Sequence, residues 1–94
     1  MVVRHCSFRD FYGRGVALYN QVDGEVAGCL FERIADEAID LDHYVENFRI
    51  AGNEVRDARW GIVLNDAAHN VVEYNRIEGA EIGIWCWRYA ELPP

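Results

Sequence analysis

The chain of 94 residues repeats itself at intervals of 22 to 24 residues. Apolar residues recur five residues apart in each of four units, forming two columns: Val3, Val26, Ile50 and Val72 in one, and Phe8, Phe31, Val55 and Ile77 in the other. A unit of this size cannot bury its own apolar face, so neighbouring units must cover one another. The repeat therefore predicts a solenoid of four stacked units, forming one domain over residues 1–94.

Polar and apolar residues alternate over short segments of each unit, as in residues 39–42 and 62–65. This is the period of a β-strand with one buried face. No helical stripe of ten or more residues and no six-residue period is present, which disfavours a leucine-rich horseshoe and a hexapeptide coil. The sequence predicts an all-β fold whose coils contain two or three short strands, with parallel neighbours about 4.8 Å apart.

Two columns of charged residues offer a test of this stacking. One reads Arg9, Glu32, Arg56 and Glu78, and the next reads Asp10, Arg33, Asp57 and then Gly79. Alternating signs avoid like charges in neighbouring coils. We expect the columns to report register rather than stability, since an exposed ion pair contributes only a few tenths of a kcal/mol.

Two stretches of the chain resemble the repeats of right-handed parallel β-helix proteins, the pectate lyase-like superfamily. They are Asn53-Glu54-Val55 followed by Trp60-Gly61-Ile62-Val63-Leu64, and Asn75-Arg76-Ile77-Glu78-Gly79 followed by Gly83-Ile84-Trp85. The resemblance covers about residues 2–89 and implies a right-handed parallel β-helix of about four coils. It also implies a carbohydrate-binding or polysaccharide-processing module, with a lyase-, hydrolase- or epimerase-like surface and an extracellular or periplasmic location.

The turn column Cys6, Cys29, Asn53 and Asn75 matches this family in part. Stacked asparagines are common there, and Asn53 and Asn75 fit, whereas Cys6 and Cys29 depart from the pattern. The three cysteines form no Cys-x-x-Cys pair, so we expect them to act as small packing residues. A Cys6–Cys29 disulfide is the alternative, and Cys86 falls in a core column with Leu64.

The amino-acid composition limits the classes of partner that this chain is expected to bind. Nine Lys and Arg against 16 Asp and Glu give a net charge of −7, which argues against nucleic acid. No apolar run approaches the roughly 18–20 residues of a membrane span, so we expect no membrane partner. The N-terminus lacks a signal-peptide core, so the sequence itself leaves the location open.

A polar and aromatic wall is predicted on the outward face of the strand segments next to a recurring glycine, which is Gly15, Gly61 or Gly83 in three of the four units. Carboxylates bind sugar hydroxyls and flat rings stack on apolar sugar faces, so the wall suits a polysaccharide. Asp40 and Asp42 are the candidate catalytic pair. The candidate substrate-binding residues are Tyr19, Trp60, Asn65, Trp85, Trp87 and Arg88.

Asp40 and Asp42 lie two residues apart and point the same way, with Cα atoms about 6.6–6.8 Å apart. Like charges so close raise one pKa and place an acid beside a base. The competing expectation is two solvated acids on an exposed strand. Asp40, Asp42, Asn65 and Asp66 also offer oxygen ligands for Ca²⁺, an alternative that stays open; no other cofactor or metal is expected.

The ends of the stack and the function each leave two alternatives. Short terminal segments leave little room for caps, which favours a segment of a longer solenoid over a unit that associates end to end with another chain. A non-catalytic structural or interaction solenoid remains the alternative to a glycan module.

Overall fold

The computed structural model describes residues 1–87 and contains ten β-strands. Their bounds are β1 Val2–Arg4, β2 Ser7–Phe11, β3 Val16–Tyr19, β4 Val22–Ala27, β5 Leu30–Asp42, β6 Glu46–Ala51, β7 Glu54–Asn65, β8 Val71–Glu73, β9 Arg76–Glu78 and β10 Ile82–Trp87. They form four coils: β1–β3, β4–β5, β6–β7 and β8–β10. The described residues contain no helix long and apolar enough to cross a membrane.

All strand pairs are parallel and join one coil to the next. One sheet has the order β1-β4-β6-β8, and the other has the order β10-β7-β5-β2, with β3 beside β5 and β9 beside β7. The all-β solenoid of about four coils is therefore confirmed. The long strands β5 and β7 continue around a corner, and their pairing shifts register between Ile34 and Glu37 because β5 has one more residue there.

The predicted apolar columns are neighbours in the structure. Val3 pairs with Val26, Val26 with Ile50 and Ile50 with Val72. Phe31 lies at the centre of the second column, is fully buried, and stacks on Phe8 with ring centroids 4.9 Å apart. Burial is deepest in the second and third coils, since these have a neighbour on both sides.

The charged columns are aligned as expected, although their ion pairs only partly follow them. Arg9 Nε lies 2.8 Å from Glu32 Oε1 in the next coil, and Arg33 binds Asp10. Arg56 forms its short contacts with Glu54 of its own strand. An arginine therefore reaches a carboxylate along its own strand as readily as one in the next coil.

A ladder of amides fastens one corner of the stack. Asn53 Oδ1 accepts a hydrogen bond from the backbone N–H of Cys29 at 2.9 Å, and Asn53 Nδ2 donates to the Val26 carbonyl at 2.9 Å. Asn75 repeats this pattern one coil later. Asn70 does the same at another corner by accepting from the N–H of Phe48, which the sequence did not predict.

No disulfide joins any two cysteines of the described residues, so the Cys6–Cys29 disulfide does not form. Cys29 is buried, and desolvation raises the pKa of its thiol. Cys86 pairs with Leu64 as predicted, but it is exposed rather than part of the core.

Candidate functional site

The outward face of the second sheet carries a cleft of about 280 Å³ where β3, β5, β7 and β10 lie side by side. Strand alternation creates it: Ile39 and Leu41 point into the core, so Asp40 and Asp42 point out. Its lining contains Arg14, Glu37, Asp40, Asp42, Trp60, Asn65, Ile82 and Trp85. The coils thus bring together five of the predicted site residues: Asp40, Asp42, Trp60, Asn65 and Trp85.

The expectation that these acids are solvated is wrong. Asp40 is 1% exposed, Asp42 7%, Glu37 8% and Asn65 5%, although all four lie on the outer face. The side chains around the cleft cover them. The protein thus has a small buried polar region on this outer face, separate from its apolar core. Burying carboxylates is costly unless their oxygens have partners, which makes their contacts informative.

Arg14, which lies just before β3 in the first coil, lines the cleft and contacts its carboxylates. Its Nε lies 3.3 Å from Glu37 Oε2 and 3.4 Å from Asp40 Oδ2. Its Nη1 donates to the hydroxyl of Tyr19. The next residue, Gly15, allows the backbone here to pack closely on β5, because a Cβ there would lie 2.5 Å from the Ala38 carbonyl oxygen.

Three buried oxygens in the cleft lack a hydrogen-bond partner within residues 1–87: Asp40 Oδ1, Asp42 Oδ1 and Asn65 Oδ1. Asp42 and Asn65 are register partners on adjacent strands, and Asp40 lies two residues along β5. Unsatisfied buried acceptors are rare in folded proteins and call for an explanation. A ligand donor that displaces the side chains covering these oxygens would supply the missing hydrogen bonds.

Burial raises the pKa of Asp40 to about 6, and the negative charges of Asp42 and Glu37 act in the same direction. The positive charge of Arg14 and the nearby His43 oppose this rise in pKa. A carboxyl that titrates near neutral pH is able both to donate and to accept a proton. Asp40 is thus the group in the cleft best suited to acid–base chemistry.

His43 lies at the end of β5 between two carboxylates. Its Nε2 is 3.3 Å from Asp42 Oδ1, in a contact without hydrogen-bond geometry, and its Nδ1 is 3.4 Å from Asp66 Oδ2. His43 and Tyr44 both have positive φ values, of 42° and 67°, which turn the chain sharply after the strand.

The aromatic wall comes from the third and fourth coils. Trp60 and Trp85 stack with ring centroids 6.3 Å apart and an interplanar angle of 10°. The guanidinium carbon of Arg59 lies 5.4 Å from the Trp60 ring centroid. Tyr19 is half-exposed beside the cleft and joins it through Arg14. Arg88 and the side chain of Trp87, both predicted to bind substrate, lie outside the described residues.

Residues 1–87 contain no group of three or more His, Cys, Asp or Glu side chains arranged to hold a metal ion. Of the oxygen set considered for Ca²⁺, Asp66 faces His43 instead. The other three members of that set, Asp40, Asp42 and Asn65, line the cleft.

A larger cavity, of about 370 Å³, lies at the corner between β2 and β3, beside Asp10, Phe11, Arg33 and Asp57. Arg33 is hydrogen-bonded to Asp10 there at 3.2 Å between Nη2 and Oδ2. None of the unpartnered buried oxygens of the described chain belongs to this cavity. The smaller cleft is therefore the candidate functional site.

A family model for the right-handed β-helix region matches residues 1–92. The chain belongs to the right-handed β-helix family. The match agrees with the parallel coils and with the aligned columns of this right-handed β-helix. No curated protein and no solved structure gave a match.

Sequence reasoning missed Arg14 and Glu37 as site residues of this β-helix. Both were visible in the column that contains Trp60 and Ile82, which directly precedes the column of Asp40. Their spacing of whole repeats from Trp60, which pairs in register with Glu37, was the signal. The sequence did not reveal that Arg14 contacts the carboxylates, because a position in a column indicates which face a side chain occupies but not where its end reaches.

Proposed function

We propose that this chain binds a saccharide in the cleft and acts on it, or presents it, through Asp40 and Asp42. The observation that carries the proposal is the combination of three unpartnered buried oxygens with a wall that includes Trp60 and Trp85. Sugars present hydroxyl donors beside apolar ring faces, and this cleft offers acceptors beside aromatic rings. Membership of the right-handed β-helix family is compatible with this function but does not by itself assign it.

The raised pKa of Asp40 supports acid–base processing at the same place. Its protonated form supplies a proton near neutral pH, and the adjacent Asp42 carboxylate is available as a proton acceptor. Hydrolysis, elimination and epimerisation of sugars all require such an exchange of protons. Binding and processing are separable, because replacing Asp40 by Asn keeps its size while removing its proton.

The test is calorimetric titration of neutral, acidic and amino-bearing oligosaccharides, with product analysis for each. We expect Trp85→Ala to weaken binding of the best ligand severalfold, consistent with the roughly 1 kcal/mol contributed by an aromatic contact. Tyr12→Ala is the matched control, since Tyr12 is an exposed aromatic residue away from the cleft. Asp40→Asn should retain binding and lose turnover.

Absence of binding and turnover across the panel would contradict the proposal. It would favour the alternative, a structural or interaction solenoid whose cleft serves no ligand. Equal loss of affinity in Trp85→Ala and Tyr12→Ala would also contradict it, because binding would then not depend on this wall.

A further inference from the structure

We propose that the cleft recognises a protonated primary amino group, carried by an amino sugar. This inference rests on the proposed saccharide function and names the class of sugar. It follows from which hydrogen-bonding groups the cleft leaves unused, from its charge and from its aromatic wall.

The buried polar atoms of the cleft that lack a hydrogen bond are all acceptors, and His43 Nε2 lies 3.3 Å from one of them, Asp42 Oδ1. Among residues 1–87, the buried side-chain polar atoms without a partner are oxygens of Asp40, Asp42 and Asn65. An ammonium group has three N–H donors and no acceptor. A single ammonium therefore offers one donor for each unpartnered oxygen, whereas a sugar hydroxyl has only one donor.

Asn65 makes this more than a cluster of acids. Its Oδ1 is uncharged, and the residue is only 5% exposed. Asn65 lies on β7, where it pairs in register with Asp42 of β5. An amide oxygen brought to the same cleft as two carboxylate oxygens adds an acceptor without adding charge. The three together are suited to a donor-rich cation.

The charge of the cleft favours the same ligand. Glu37, Asp40 and Asp42 line it, and Arg14 is the cationic residue in its lining. The Arg14 guanidinium is already engaged with Glu37, with the other oxygen of Asp40 and with Tyr19. A ligand carboxylate would meet acceptors and negative charge, so a uronic acid is disfavoured. A ligand ammonium would be attracted.

The aromatic wall supports the binding of a cation as well as of a sugar ring. Trp60 and Trp85 line the cleft with the carboxylates, and the faces of indole rings attract cations. Arg59 already shows this chemistry at Trp60, with its guanidinium carbon 5.4 Å from the ring centroid. An amino sugar would present its ring to the wall and its ammonium to the oxygens.

The experiment titrates the full chain with a short glucosamine oligosaccharide and with its N-acetylated counterpart, at about pH 7, where a free amine is mostly protonated and Asp40 is mostly ionised. The two probes differ in the charge and donors of one group per sugar. We expect the glucosamine form to bind at least about tenfold more tightly, a difference of about 1.4 kcal/mol. Calorimetry measures the affinities, and tryptophan fluorescence reports on the wall.

Two variants assign the effect to the cleft. Asp42→Asn and Asn65→Leu should each weaken glucosamine binding about tenfold, and circular dichroism checks that each is folded. Glu78→Gln is the control, because it removes the same charge as Asp42→Asn at an exposed position on β9. It should leave the affinity within about twofold.

The outcomes separate this inference from the proposed function. Equal binding of both probes, or preference for an acidic oligosaccharide, would overturn the amino-sugar inference and leave saccharide binding in place. Loss of affinity in Glu78→Gln equal to that in Asp42→Asn would also overturn it, since attraction by the net charge of −7 would then suffice. Binding of no saccharide at all would overturn both.

Discussion

At the scale of single residues, the cleft depends on carboxyls that the fold buries on its outer surface. Asp40 shows the consequence most clearly, because it is 1% exposed and its pKa is raised by burial and then by Asp42. Asp10 is the opposite case. It is exposed, and a hydrogen bond from Arg33 lowers its pKa. The same residue type thus has two opposite effects on the pH dependence of stability.

The first prediction concerns Asp40→Asn. The folded protein holds a proton on Asp40 up to about pH 6, whereas the unfolded chain loses it near 3.8, so the contribution of this group to stability falls as the pH rises between these values. The free energy of unfolding of the variant, relative to the parent, should therefore increase by up to about 3 kcal/mol between about pH 4 and pH 7. Urea denaturation at several pH values measures this.

Asp10→Asn provides the control of opposite sign. Because Arg33 lowers the pKa of Asp10 in the folded protein, the free energy of unfolding of the parent, relative to this variant, should increase as the pH rises. A parallel pH dependence in the two variants would contradict the assignment to Asp40.

At the scale of elements, the segment that joins β2 to β3 positions the only cationic side chain among the described residues lining the cleft. Arg14 lies between two glycines with different surroundings. A Cβ on Gly15 would meet the Ala38 carbonyl oxygen at 2.5 Å and the Phe31 ring at 2.7 Å, whereas a Cβ on Gly13 would meet nothing within 4 Å. The close packing of Gly15 therefore fixes where Arg14 leaves the backbone.

The second prediction follows from this difference. Gly15→Ala should lower the free energy of unfolding by about 1–3 kcal/mol, because backbone and a buried ring must shift to accommodate the methyl group. Gly13→Ala should change it by no more than about 1 kcal/mol, and in the stabilising direction. Denaturant titration of both variants measures the changes. Equal destabilisation by both would show that Gly15 is not packed as described.

The sequence predicted the elements far better than the environment of the cleft. Column alignment follows from the repeat alone, so pairs such as Phe8 with Phe31 were correctly predicted. The burial of Asp40 and Asp42 was not, since periodicity indicates which face a side chain occupies but not what covers that face. Arg14 and the large side chains of neighbouring coils surround these carboxylates. Rotamers and the reach of side chains decide such contacts.

At the scale of the whole molecule, stability is distributed along the stack rather than around one centre. Each coil contacts only the coils before and after it, as in other solenoids. The most deeply buried residues, such as Phe31 and Val55, belong to the second and third coils. Val3 of the first coil is only partly buried.

The third prediction is a gradient of amide hydrogen exchange along the stack. Amides in the buried parts of β5 and β7 should exchange slowest, and those of β1 should exchange at least about tenfold faster, because the first coil has one neighbour among the described coils and opens at lower cost. Exchange followed by mass spectrometry resolves these segments. Uniform protection of β1 and β5 would instead indicate a single cooperative unit.

The cleft draws Arg14, Asp40, Trp60 and Trp85 from four successive coils. Each coil therefore contributes its own polar or aromatic group to the cleft, while the apolar columns beneath are similar from coil to coil. Duplication, loss or exchange of one unit by recombination would alter which groups meet at the cleft without demanding a new interior. Such a scaffold is able to acquire new specificities by shuffling whole turns of the chain instead of accumulating substitutions around a fixed pocket.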